Sequence, residues 1–171
     1  MAGSLILIDS DTASSSSSIS LTGMDSTYDV YVAIIENVTY SASAYDYIRF
    51  TVGGYADTSA NYDSVMKVLR GNGAFYNGAY SNQTFTYLSP YQKGTNTGSQ
   101  TNATFYIFNS QNSSEYTFAT FEESFIGTSG AITGSQGGMV LTETQITDGI
   151  NFSPSAGNYP SGEFLLYGLK K

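Results

Sequence analysis

The closing stretch ITDGINFSPSAGNYPSGEFLLYGLKK, residues 146–171, reads as two β-strands hinged by a long polar turn. Ile146, Ile150 and Phe152 give the first strand an apolar side, and Phe164, Leu166 and Gly168 alternate with Glu163, Leu165, Tyr167 and Leu169 in the second. A period of two marks a strand because successive side chains point to opposite faces. Residues 153–162 between them are rich in Ser, Pro, Gly and Asn, which set turn dihedrals.

The same period recurs along the chain. Residues 28–38 carry apolar side chains on both alternating sides, as expected of a central or interface strand covered on both faces. In residues 47–52 the faces separate, with Ile48, Phe50 and Val52 opposed to Tyr47, Arg49 and Thr51, and Gly53-Gly54 ends the run. Residues 103–108 and 116–121 alternate on either side of a polar turn and form the clearest hairpin. A further strand is expected over residues 82–88, and another begins at 139–141.

One segment has a different period. Tyr62, Val65, Met66 and Leu69 fall at i, i+3, i+4 and i+7, followed by Gly71 at a capping position, which predicts a short helix over residues 61–70. Residues 71–80, 93–100 and the five-glycine stretch 127–138 read as loops. Short strands about ten residues apart point to an all-β fold, an antiparallel β-sandwich of jelly-roll type with that one short helix. Ahead of the body, Leu5, Ile6, Leu7 and Ile8 form an apolar run, read as an edge strand or docking arm. Five serines at 14–18 read as a flexible link, so residues 1–18 are an arm and residues 19–171 the sandwich domain.

Composition narrows the function. The chain of 171 residues has no Cys and no His, 12% charged residues, 15 Tyr, 10 Phe and a formal net charge of -8. No disulfide or thiolate metal site can form, and the usual general base and commonest metal ligand are missing. The six basic residues form no tract, so nucleic acid is not expected as a partner. No run approaches the roughly 20 apolar residues that span a bilayer, and the 5–8 run lacks the length and basic flank of a signal peptide.

Candidate chemistry is sparse. Glu122 and Glu123 are adjacent and would face opposite sides of a strand, so they cannot flank one glycosidic bond and read as a solvated acidic hairpin end. Asp9, Asp11 and Asp25 match no complete calcium loop, and Gly71-Asn72-Gly73 is followed by no phosphate-binding pattern. The triplets at Asn37, Asn82, Asn102 and Asn112 are expected by chance in a Ser/Thr-rich chain. No metal or cofactor site and no enzyme activity is expected. Tyr76, Tyr80, Tyr87, Tyr91 and Tyr159 remain as loop tyrosines that could face an interface or a glycan, with packing the better-supported role.

Ile150, Phe152, Ser161, Gly162, Phe164, Leu166, Tyr167, Gly168 and Leu169, with the opening strand within residues 21–38, resemble structural proteins of tailed bacteriophages, marine ones in particular. The resemblance covers the two ends of the chain. It implies a virion component made in the host cytoplasm and placed on the virion exterior as a capsid decoration or head fibre. Such a component would be a homo-oligomer, a trimer, docked on the major capsid protein or another virion protein through the 5–8 arm. The alternative it implies is a tail-fibre tip that recognises host glycans.

Overall fold

In a computed structural model that describes residues 3–170, thirteen strands build two antiparallel sheets packed as a sandwich. The strands are β1 (Ser4–Thr12), β2 (Ile19–Thr22), β3 (Val30–Val38), β4 (Asp46–Val52), β5 (Tyr55–Ala56), β6 (Tyr62–Arg70) and β7 (Phe75–Gln83). They continue with β8 (Thr86–Tyr87), β9 (Thr101–Phe108), β10 (Thr117–Ile126), β11 (Ile132–Leu141), β12 (Gly149–Pro154) and β13 (Glu163–Lys170). The eight-stranded sheet runs β1-β13-β3-β9-β10-β11-β6-β7, and the five-stranded sheet runs β2-β12-β4-β5 with β8 added on β4.

The closing stretch ties the two layers together. β12 lies between β2 and β4 in the smaller sheet, while β13 lies between β1 and β3 in the larger one, so the polar turn spans the sandwich. Ile150, Phe152, Phe164 and Leu166 all point into the core. The Phe152 and Phe164 rings meet at 5.4 Å and Phe152 meets Phe105 at 5.6 Å, forming an aromatic seam between the layers. Ile146, expected on that apolar side, lies outside the strand and is 49% exposed.

β3 is a central strand between β13 and β9, and β9 and β10 form the expected hairpin. Among the described residues there is no helix. Where the helix was expected, Tyr62–Arg70 form β6, between β11 and β7, with Tyr62, Ser64, Met66 and Val68 inward and Val65, Lys67 and Leu69 outward. The helical spacing arose because both faces of this strand carry apolar residues; Val65 and Leu69 belong to the outer face, and Val and Tyr favour strands. Residues 127–138 and 71–80, read as loops, contribute to β11 and β7. Gly137 is required where it stands, since a Cβ there would overlap the Val65 carbonyl oxygen and sit 2.7 Å from Phe121 Cζ.

Residues 4–12 form the edge strand β1 paired along β13. The serine run that follows is tied to the body rather than free. Ala13 N donates to Gly162 O at 2.9 Å, and Ser16 and Tyr159 exchange backbone bonds of 3.0 and 2.8 Å. Met1, Ala2 and Lys171 lie outside the described residues.

Candidate functional site

The outer face of the eight-stranded sheet exposes large apolar side chains from one edge to the other. β6 contributes Val65 (60% exposed) and Leu69, β7 contributes Phe75, β10 Phe118, β9 Tyr106, β11 Ile132, and β1 Leu5 and Leu7. On the central strands Val30 and Ile34 of β3 and Leu165, Tyr167 and Leu169 of β13 share this face by register. An antiparallel sheet with one face in water ordinarily shows polar residues there; this one interleaves them, Lys67, Thr104, Thr120, Glu122 and Gln136 among them, with exposed apolar side chains. Gly138 leaves a shallow trough between Val65 and Thr120, and Lys67 and Glu122 stand within the same concavity. Of the expected 5–8 arm, Leu5, Ile6 and Leu7 are exposed, while Ile8 packs against the core.

Four of the five candidate tyrosines form one cluster. Tyr76 and Tyr91 rings meet at 6.3 Å, Tyr80 and Tyr87 at 5.4 Å, and the Tyr76 and Tyr80 hydroxyls lie 3.4 Å apart. Tyr47 stacks on Phe85 at 3.9 Å beside Tyr87, and the Arg49 guanidinium lies 5.5 Å from the Phe85 ring centre. Burial, reinforced by Tyr76, pushes the Tyr80 hydroxyl up to about 12. Tyr159 does not belong to this group: it is 1% exposed, in the core, because its ring packs edge-on against Tyr40 and against Phe164.

A buried ionic cluster lies between the sheets and was not anticipated. Glu123, read as solvated, is buried on β10, with its neighbour Glu122 on the exposed side. Lys93 (1% exposed) places Nζ 3.3 Å from Asp46 Oδ2 and 3.0 Å from Glu123 Oε2. Tyr40 Oη donates to Asp46 Oδ1 and Oδ2 at 2.9 and 2.8 Å, Tyr159 Oη to Oδ1 at 3.0 Å, and Ser135 Oγ to Glu123 Oε1 at 2.9 Å. The Phe125 ring lies 4.2 Å from Nζ. Backbone pairing fixes Lys93 on both sides, to Ala44 and to Gly127.

Burial acts on Glu123, Lys93, Tyr40 and Tyr159. It pushes the Glu123 carboxyl up, with Asp46 adding to the rise and Lys93 opposing it. It favours the neutral Lys93 amine, but Glu123 and Asp46 outweigh it and hold the ammonium above its ordinary value. It raises the Tyr40 and Tyr159 hydroxyls well above the usual phenol, and Asp46 reinforces both.

The signal for this cluster was phase. Glu123 alternates in register with Ala119, Phe121 and Phe125, and Asp46 with Ile48 and Phe50, so both acids sit on core-facing positions. Nothing local marks Lys93, which follows an irregular segment and is placed by long-range pairing. Asp9 and Asp25 serve the backbone, Asp9 Oδ2 accepting from Thr22 N at 2.8 Å and Asp25 Oδ1 from Thr27 N at 2.8 Å. Among the described residues no group of acidic side chains is arranged to hold a metal ion, and no helix is long and apolar enough to cross a membrane.

Searches of protein-family models and of curated proteins return no match to this chain.

Proposed function

We propose that this protein is a non-enzymatic structural component of a phage virion, a jelly-roll module that decorates the capsid exterior or forms a head fibre. The observation that carries the reading is the set of exposed apolar side chains, Leu5, Leu7, Val65, Leu69, Phe75, Tyr106, Phe118 and Ile132, that recurs across the outer face of the eight-stranded sheet. Exposed large apolar side chains gathered on one face and flanked by polar ones mark assembly surfaces. Its occupant in this reading is a second copy of the chain. An acidic molecule of net charge -8 disfavours self-contact except where charge is sparse or paired, and Lys67 and Glu122 share this face so that each can meet its opposite on a neighbour. Residues 5–8 at the sheet edge are the docking element toward the capsid. The resemblance of both chain ends to tailed-phage structural proteins supports the virion setting.

A second reading, a receptor-binding fibre tip, draws on the Tyr76, Tyr80, Tyr87 and Tyr91 cluster with Tyr47, Phe85 and Arg49, since aromatic faces beside a cation can stack on sugar rings. Locating the chain's density on an intact particle separates the two. Density repeated over the icosahedral shell is the expected result; density confined to the tail supports the fibre tip, and absence from the particle overturns both.

A further inference from the structure

Two carboxylates and one lysine share a site almost without solvent, an arrangement that costs desolvation energy without an evident gain in stability. We propose that Lys93 and Asp46 condense into an intramolecular amide, an isopeptide bond, with Glu123 carrying the proton between them. The inference is independent of the virion reading, because it rests only on the cluster's geometry.

Each group has the surroundings its part requires. Lys93 Nζ, the nucleophile, is 3.3 Å from Asp46 Oδ2, and its backbone is bridged to Ala44 and Gly127, so its approach is pre-set. The Phe125 ring and the surrounding core exclude water, so the amine is left without a solvent shell once its proton has moved. Asp46 is the electrophile. The Tyr40 and Tyr159 hydroxyls, at 2.9 and 3.0 Å from Oδ1, are placed to stabilise the oxyanion that forms when Cγ becomes tetrahedral. Glu123 lacks the two hydroxyl donors that Asp46 has: its Oε1 accepts from Ser135 Oγ at 2.9 Å and from Lys93 Nζ itself at 3.3 Å, while Oε2 lies 3.0 Å from Nζ, the position of a proton carrier.

The step balances without any co-reactant. Starting from the Lys93 ammonium, the Asp46 carboxylate and a protonated Glu123, one proton passes from Nζ through Glu123 to Asp46. The Nζ lone pair then forms the N–Cγ bond. As Glu123 takes a second proton from nitrogen on one carboxyl oxygen, it gives its own from the other to the Asp46 hydroxyl, the C–O bond breaks, and water leaves. The products are a neutral amide, one water and Glu123 again protonated. Two buried charges disappear, and the amide oxygen inherits the two tyrosine donors. The bond would join the start of β4 in the smaller sheet to the segment that bridges toward the end of β10 in the larger one.

The test is the intact mass of the purified full-length chain under denaturing conditions, followed by tandem mass spectrometry of its peptides. The expected result is a mass one water below that of the sequence, with a branched peptide joining Lys93 to Asp46. Lys93→Met and Asp46→Ala should have their full sequence masses, and Glu123→Gln should form the link at least about 100-fold more slowly. The native chain itself is measured, so a variant that fails to fold does not decide the matter. A native chain of full sequence mass overturns the proposal. A water loss that maps to a succinimide at Asp148-Gly149, or to a Lys93–Glu123 link, overturns it as well.

Discussion

Phe164 and Glu163 are neighbours on β13 with opposite environments, the phenyl ring buried against Phe152 and Tyr159 and the carboxylate exposed. Phe164→Ala should cost about 3–5 kcal/mol through the cavity it leaves, and Glu163→Ala under about 0.5 kcal/mol. Thermal unfolding of the two variants measures the difference, and equal losses would contradict the face assignment. Tyrosine burial makes a second prediction at this scale. Tyr40, Tyr62 and Tyr159 are held above the phenol value of 10.0 chiefly by burial. A folded pKa above the unfolded one contributes stability that is complete below about pH 10 and is lost as pH rises through the folded value. Spectrophotometric titration should show the exposed tyrosines ionising near their ordinary value, with a last fraction released only as the protein unfolds at higher pH. Ionisation of all fifteen in one step without unfolding would contradict it.

At the scale of elements, what could be read in the sequence was alternation between a wet and a dry face. β4, β9 and β10 show it, and β12 and β13 were recognisable from the alternating apolar side they turn to the core on either side of a polar turn. β6 did not, because Val65 and Leu69 on its outer side supplied a false helical period, and β11 did not, because Gly134, Gly137 and Gly138 read as loop. Both misreadings lie where the outer face departs from the ordinary surface, and the ionic cluster was hidden for a related reason: Lys93 reaches Asp46 and Glu123 only through pairing across distant segments. The glycines give a direct test of β11. Gly137→Ala should cost at least about 1–3 kcal/mol, because its Cβ would overlap the Val65 carbonyl oxygen of the paired strand and crowd the Phe121 ring. Gly138→Ala, whose Cβ would meet only Ala119 O at 3.7 Å, should stay within about 0.5 kcal/mol. Chemical denaturation of both variants checks the register, and a reversed order would show the strand shifted by one residue.

For the whole molecule, the sandwich buries one face of each sheet and leaves large apolar side chains exposed across the outer face of the larger one. The tyrosine cluster joins β7, one edge of the larger sheet, to β4 and β8 of the smaller one, while β1 forms the other edge of the larger sheet. On the proposed reading, self-association falls to the outer face of the large sheet, and the aromatic cluster is left to pack or bind. Val65 and Phe118 are exposed on that sheet, so charging them should leave the monomer's fold intact. Sedimentation velocity of the native chain beside the double variant Val65→Glu, Phe118→Glu is the most direct test of the assembly surface. The account predicts an oligomer for the native chain and a monomer of unchanged melting temperature for the variant. A native chain that sediments as a monomer at micromolar concentration, or a variant that keeps the oligomer intact, would contradict it.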